Sequence, residues 1–420
     1  MSTPQKKHYD LVIVGGGIVG LAHALAAGRQ GLRAAVFERH EKPRGASARN
    51  FGMLWPIGQN HGLVRARALR SLETWRELFA GAGIWSDPCG SLLLARREEE
   101  LAVLSEFLPT SAQEGYDCVL LSPAEVATVA PGVRQEGLLG ALHSRQEILV
   151  NPAQALSRLT AFLREHHDTS FYFGTEVHQA EAPSIETTAG KFHADRALIC
   201  SGSDFETLFP ATFRESGITR CKLQMMKTAP QPATWKLGAM VTDGLTFRRY
   251  QAFRDCPSYP LLQKRILAEN EELDLLGITV LAAQNGDAEV ILGDSHHYAW
   301  APPEGADPGI DEKIIGYLRG LVELPRPDIS ERWSAVYSSH PQHAEMILDP
   351  ADSTRIVLAT GGNGLTTSFA LAEEPLSNWQ SDARRQVKKR GQGRGKATTS
   401  STSFKPQWKL DRPRTEKTSF

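Results

Sequence analysis

The chain has 420 residues, 41% of them hydrophobic and 23% charged, with a net charge of −1; that length predicts roughly two domains, and the charge balance gives no sign of a nucleic-acid partner. Its five cysteines are scattered without a CxxC pair, which argues against a disulfide framework or a zinc site and fits a reducing compartment. No run reaches the ~18 apolar residues of a membrane span and the N-terminus lacks signal-peptide architecture, so a cytoplasmic protein without a membrane partner is expected.

The first element is the most informative. Asp10-Leu-Val-Ile-Val14 reads as a strand, Gly15-Gly16-Gly17-Ile18-Val19-Gly20 as a turn entering a helix, and Ala34-Ala-Val-Phe37 as a second strand ending at Glu38 and Arg39. Gly15 permits a tight turn, Gly17 lets the backbone approach a pyrophosphate, and Gly20 lets the helix pack close to the strand. The helix N-terminus presents unpaired N–H groups to phosphate charge. An acid about twenty residues on is placed to accept from ribose hydroxyls and disfavours a 2′-phosphate. The predicted ligand is a dinucleotide.

Next, Gly45 to Pro56 is small, polar and glycine-punctuated, a composition suited to backbone wrapping a ligand. Residues 62–82 and 95–107 have helical periodicity, and their arginines read as a solvated face. Asn151-Pro152 opens a helix over Ala153–His166. Strands follow at Ser170–Phe173 and Thr175–Val177, and the apolar stretch after Gly190 runs into Cys200-Ser201-Gly202, an end at which a second backbone segment can reach a dinucleotide. Alternation then predicts strands at Cys221–Thr228, Gly244–Phe253, Leu276–Gln284 and Ala288–Ser295. Asn285-Gly286 between the last two is a hairpin signal, so this block reads as an antiparallel sheet and a separate lobe. A helix at Asp311–Leu321 and strands at Arg332–Ser338 and Arg355–Ala359 follow. The last strand enters Thr360-Gly361-Gly362-Asn363-Gly364-Leu365-Thr366. From Leu376 to Phe420 there are 12 Lys and Arg against 3 Asp and Glu with no apolar periodicity, so a basic, disordered tail is expected.

The N-terminal glycine motif, the return through Ser201-Gly202 and the late Gly-Gly-Asn-Gly-Leu-Thr run together resemble the D-amino-acid oxidase-like FAD oxidoreductases, which include glycine oxidase and sarcosine oxidase. The likeness covers Asp10 to about Glu374 in the family's order. It implies an α/β fold, a Rossmann-like FAD-binding domain (1–60, 146–210 and 331–375) interleaved with an antiparallel-sheet substrate lobe (61–145 and 211–330). Ala46-Ser47, Asn50-Phe51 and Gly52-Met53 are similar to the family's segment beside the flavin. Val177 falls where the family sets a backbone on FAD, and Gly361 to Thr366 where its chain wraps the flavin's pyrimidine edge. Narrower stretches, Asn50–Gly58, Lys222–Pro230, Gly286–His296 and Arg332–Pro341, resemble a bacterial subgroup proposed to act in phosphonate catabolism. No cysteine lies near 337–345, so the resemblance implies noncovalent FAD. Pro375 interrupts the helix that caps the flavin in this family, which predicts a truncated cap.

The resemblance implies oxidation of a C–N bond of a small anionic amine, aminophosphonate or amino-acid-like, by hydride transfer to flavin N5, imine hydrolysis, and reoxidation by O₂ or another acceptor. Such a route leans on positioning. Anion binding calls for arginine, whose planar fork donates two hydrogen bonds. Arg248 and Tyr250 are expected on one face of a strand, as are Lys222 and Gln224. His296, Tyr337 and His340 are the candidates for substrate contact or proton handling, and Trp333 reads as a core aromatic. Adjacent His296 and His297 point oppositely on a strand, so no metal site is expected. Two rivals remain. One is an NAD(P)H-dependent FAD monooxygenase, disfavoured because Thr360-Gly361-Gly362 lacks the Gly-Asp that such enzymes carry; the other is an inactive flavoprotein remnant.

Overall fold

The computed structural model describes residues 8–374, and the predicted basic tail lies outside the described residues. Among the described residues, two large sheets, a small three-stranded one (Met53–Leu54, Ile148–Val150 and Ser86–Asp87) and the helices on them build the fold. The first has a parallel centre in the order Thr169–Tyr172, Ala34–Phe37, His8–Val14, Gly190–Ile199 and Thr354–Ala359, with antiparallel additions at 177–187 and 345–351. Leu11, Val12 and Ile13 and all of Ala34–Phe37 are buried, as strands covered on both faces require. The helix Ile18–Arg29 packs on this sheet and is buried from Ile18 to Ala27 except at Val19.

Gly15 has φ +107°, and a Cβ on it would lie 2.3 Å from the carbonyl oxygen of Cys200. A Cβ on Gly20 would lie 2.0 Å from the carbonyl oxygen of Gly15. The turn is therefore gripped from both sides, by the helix and by the strand end at 199–200.

The second sheet has nine strands. In spatial order they include His297–Ala299, Thr219–Thr228, Val290–Gly293, Leu281–Gln284, Met240–Asp243, Ser91–Ala95, Gly140–Ser144 and Cys118–Leu121, with Ile329–Ser339 along Thr219–Thr228. It is antiparallel apart from Met240–Asp243, which runs parallel to Ser91–Ala95. Ser338 in its long edge strand donates to the Ala359 carbonyl of the first sheet at 3.2 Å. That strand thus carries its side chains from one sheet to the other.

Two expectations need correction. Residues 244–253 are not a strand but two short helices, Gly244–Phe247 and Gln251–Arg254. The Asp243 side chain caps the first by accepting from Leu245 N at 3.1 Å, and Leu245, Thr246 and Phe247 are consecutively buried, which alternation does not allow. The strand predicted at Leu276–Gln284 is confined to Leu281–Gln284, because a helix, Tyr259–Leu275, precedes it. That helix had a sequence signal: Pro260 in its first turn and buried Tyr259, Leu262 and Ile266 at helical spacing. The Asn285-Gly286 hairpin forms, but Gln284 pairs with Val290 across a five-residue loop. Asn285 closes it by accepting from the N–H groups of Asp287 and Glu289, each at 3.0 Å.

Candidate active site

A cavity of about 1070 Å³ opens at the C-terminal ends of the first sheet's central strands and runs to the second sheet. It exceeds the ~300–1,000 Å³ of ordinary small-molecule sites, and strand C-termini are where doubly wound sheets place their ligands.

One end is built by the glycine turn. Gly15, Gly17, Ile18 and Val19 line it; Gly16 and Gly20 stand behind. Glu38 accepts from Gly16 N at 3.0 Å and His40 N at 3.1 Å, so its carboxylate holds the turn from the cavity side. Arg39 also lines the wall, ion-paired with Asp204. Ala46, Ser47, Asn50, Phe51 and Met53 line it too, with Gly52 behind. Ser47 Oγ accepts from Ile18 N at 3.0 Å. Asn50 staples its own segment, donating to the carbonyls of Ala46 and Ser47 and accepting from Gly52 N at 2.7 Å. Val177 and Ser201-Gly202 complete this end.

The late loop, Gly361 to Thr366, forms another wall. It is tied to the segment after Met53: Thr366 Oγ1 accepts from Trp55 N at 3.0 Å, and Asn363 Nδ2 donates to Gln59 at 3.2 Å. Helical backbone follows over 364–374, buried from Leu365 to Ala372. Arg67, itself buried, pairs with Glu374 and Glu345, and Ser71 accepts from Ala370 N at 3.0 Å. The expected interruption at Pro375 lies outside the described residues. Asn363 Oδ1 is buried without a hydrogen-bond partner, a polar atom awaiting a ligand donor. A glycine turn that a Cβ on Gly15 would disrupt, opening on the cavity at strand C-termini, and the orphaned Asn363 acceptor fit a dinucleotide.

At the far end, Arg248, Arg249, Tyr250, Asp294, His296, Tyr298 and Tyr337 converge. Arg248 does not share a strand face with Tyr250; it caps the C-terminus of one short helix and Tyr250 the N-terminus of the next. The Arg248 guanidinium is engaged by Asp274 and the Ile278 carbonyl, and burial beside Arg249 lowers its pKa to about 10. Arg249 differs. It donates to Tyr298 Oη at 3.0 Å and the Gly277 carbonyl at 2.7 Å, its Nε is buried without a partner, and it has no ion pair among the described residues.

His296 Nδ1 sits 3.2 Å from the Gly277 carbonyl. Burial, with Arg249 nearby, holds its pKa well below the usual value, so the ring is neutral, protonated at Nδ1 and able to accept at Nε2. Tyr337 packs under the glycine loop, its Oη 3.2 Å from where a Cβ on Gly362 would stand, and burial pushes its pKa well up. His340 reaches the wall, but its Nδ1 accepts from Gln342 N and His343 N at 3.1 and 3.2 Å, closing the turn after the strand.

Lys222 and Gln224 are not on the wall. The cavity face of Thr219–Thr228 carries Thr219, Leu223 and Met225, whereas Gln224 donates to Asp311 at 3.1 Å and to the Asp307 carbonyl at 3.0 Å on the other side. Sequence reasoning missed Arg249, Asp294, Thr279 and Tyr298. Only the chemistry of Asp294 in Gly293-Asp-Ser-His was a usable signal.

The sequence profile of the family described as FAD dependent oxidoreductase (DAO) matches residues 10–374. The chain belongs to this family. FAD is the family's cofactor, and the α/β architecture and the enzyme class follow. One polypeptide of the anaerobic glycerol-3-phosphate dehydrogenase of Escherichia coli (strain K12) is 26% identical over 143 residues, covering 34% of this chain and 26% of that protein. Glycine oxidase of Geobacillus kaustophilus (strain HTA426) is 29% identical over 212 residues, 46% of this chain and 55% of that protein. The chain thus spans about a quarter to a half of these relatives' lengths. The crystal structure of glycine oxidase from Geobacillus kaustophilus superposes with a TM-score of 0.70 at 18% identity, covering 89% of this chain and 95% of that one, a likeness of fold. Among the described residues of this FAD-dependent oxidoreductase, no helix is long and apolar enough to cross a membrane and no cluster of three or more His, Cys, Asp or Glu could hold a metal.

Proposed function

We propose that this FAD-dependent oxidoreductase oxidises a C–N bond of a small anionic amine, an aminophosphonate such as 2-aminoethylphosphonate or an amino-acid-like compound. The observation that carries the reading is Arg249, a cation on the wall of the cavity with no carboxylate partner among the described residues. A phosphonate or carboxylate would satisfy its idle Nε and neutralise its charge. The names of relatives, a glycine oxidase and sarcosine dehydrogenases, agree with an amine.

In this reading Gly15, Gly17, Ile18 and Val19 cradle the pyrophosphate and Glu38 takes ribose hydroxyls, with Arg39 beside it. Residues 46–53, Val177, Ser201-Gly202 and Gly361–Thr366 enclose the rest of a noncovalent FAD. When bound, FAD supplies the hydride acceptor, and O₂ or another acceptor removes the electrons. The protein's own part is orientation. Arg249 and Tyr298 hold the anion, Tyr250 and Tyr337 wall the substrate, and neutral His296 accepts an N–H at Nε2. Five free cysteines support a cytoplasmic location.

The test is anaerobic absorption spectroscopy of the holoenzyme with 2-aminoethylphosphonate, its N-methyl derivative, glycine and glycerol 3-phosphate. Bleaching of the visible flavin band by an amine is expected. Arg249→Met should raise KM by ~30-fold or more, the loss typical of truncating a buried charge partner. Bleaching by glycerol 3-phosphate alone, the substrate class named in the Escherichia coli relative, overturns the reading.

A further inference from the structure

Building on the reading of the cavity as an amine site, we infer that Asp294 and Arg249 form a two-ended clamp for a zwitterion. Asp294 takes the substrate's ammonium and Arg249 its phosphonate or carboxylate. Asp294 follows the strand Val290–Gly293, and its backbone is locked to Thr279 in both directions, N to O at 3.0 Å and O to N at 2.8 Å. The residue is 5% exposed, and the surface it keeps faces the cavity.

Its partners are few. Thr279 donates its hydroxyl to Oδ1. His296 Nδ1 is 3.7 Å from the same oxygen, but that nitrogen gives its proton to the Gly277 carbonyl, and the ring is neutral. No cation among the described residues touches Asp294. Arg249 is near enough to favour the carboxylate, offsetting part of the burial that raises its pKa to about 6, yet the two make no ion pair. Arg248 is occupied by Asp274, and Tyr250 and Tyr298 face the same space as neutral phenols.

Among the described residues, this end of the cavity thus carries a buried anion, Asp294, and a half-buried cation, Arg249, neither of them ion-paired, while Arg254 on the same wall is exposed to solvent. An isolated buried charge is costly, and one molecule bearing both an ammonium and an oxyanion compensates both. The arrangement selects against polyol phosphates, which leave Asp294 unpaired, and against simple cationic amines, which leave Arg249 unpaired.

The test uses the holoenzyme with its flavin chemically reduced, so that no turnover consumes ligand. Calorimetry at pH 8 compares 2-aminoethylphosphonate with ethylphosphonate, the same anion without the amine. The wild type is expected to prefer the aminated ligand by ~30-fold or more. Asp294→Asn should erase that preference, with ethylphosphonate bound at least as tightly as by the wild type because the competing buried anion is gone. Equal affinities in the wild type, equal weakening of both ligands in the variant, or binding of neither overturns the clamp. If the variant fails to fold, the wild type at pH 5 decides: protonation of Asp294 should shrink the preference, and a preference unchanged from pH 8 overturns the assignment. Failure of the amine-oxidation reading shows separately, as an oxidised flavin that no amine bleaches.

Discussion

Replacing Gly20 by alanine pits helix propensity against packing, and the structure says which wins. In a helix interior alanine is favoured over glycine by ~0.5–1 kcal/mol. At Gly20 the new Cβ would lie 2.0 Å from the Gly15 carbonyl oxygen and 3.3 Å from Ile13 Cγ2. The oxygen is backbone in a turn whose own N–H donates to the Phe37 carbonyl at 2.8 Å, so it has no rotamer to escape into. Overpacking of this kind costs ~1–3 kcal/mol; with a 2.0 Å approach to fixed backbone the upper half of that range applies, which leaves a net loss of ~1–2.5 kcal/mol after the propensity gain. Gly316 is the control: it lies inside the helix Pro308–Leu318 and a Cβ there meets nothing within 4 Å. Gly316→Ala should gain the full ~0.5–1 kcal/mol. Urea titration of both variants, with unchanged slopes, reads the difference as midpoints moving in opposite directions. The flavin-to-protein ratio should fall in Gly20→Ala only, because the displaced atoms belong to the turn facing the cavity. If Gly20→Ala matches Gly316→Ala in midpoint and flavin content, the grip on the turn is not what positions it.

Arg67→Met should destabilise by ~2–3 kcal/mol in thermal or urea unfolding. That is below the ~3–5 kcal/mol of a fully buried broken pair because Glu345 and Glu374 keep 23% and 28% exposure; a loss under ~1 kcal/mol would mean the pairs do not hold the helix at 364–374. Glu147 is fully buried, accepts from Ile57 N at 3.0 Å and Ser91 Oγ at 3.1 Å, and burial raises its pKa from 4.5 to about 7. The folded state therefore holds a proton that the unfolded chain releases, so this group's stabilisation is full below pH 4.5 and is lost as pH rises to about 7. Glu147→Gln should be more stable than wild type at pH 8 by up to ~3 kcal/mol and similar near pH 4.5; parallel pH profiles would contradict the assignment. Gln224→Met removes bonds to Asp307 and Asp311 and should cost ~1–3 kcal/mol of stability with KM unmoved, since the side chain points away from the cavity; a raised KM would restore it as a substrate contact.

The glycine turn was legible because it is local. A strand, Gly15-Gly16-Gly17, a helix and Glu38 lie within thirty residues, and each glycine answers a short-range demand of backbone geometry. The late Gly361–Thr366 loop and the Asn50 segment were legible as glycine-punctuated backbone for the same reason. The far end of the cavity was not. Residues 244–253 alternate in polarity, yet Asp243 caps a helical turn there, so Arg248, expected on a strand face to bind an anion, is instead engaged by Asp274. Lys222 and Gln224 were placed by parity alone, which one residue of register inverts. Both faces of Thr219–Thr228 are buried, with Lys222 and Gln224 on one and Met225 on the other, so hydropathy carried no vote.

By itself the sequence determined the glycine turn with its flanking strands and helix, which follow from glycines and periodicity acting over a few residues, and through its family resemblance the α/β class and the segments that line the first-sheet end of the cavity. Only the tertiary structure decided which charges meet. Asp274 reaches Arg248 from the helix Tyr259–Leu275, leaving Arg249 unmatched, and pairing with Thr279 turns Asp294 onto the same cavity. Those outcomes depend on sheet register and on an unforeseen helix, and electrostatic pairing in a buried site is a property of distance between segments that no local pattern encodes.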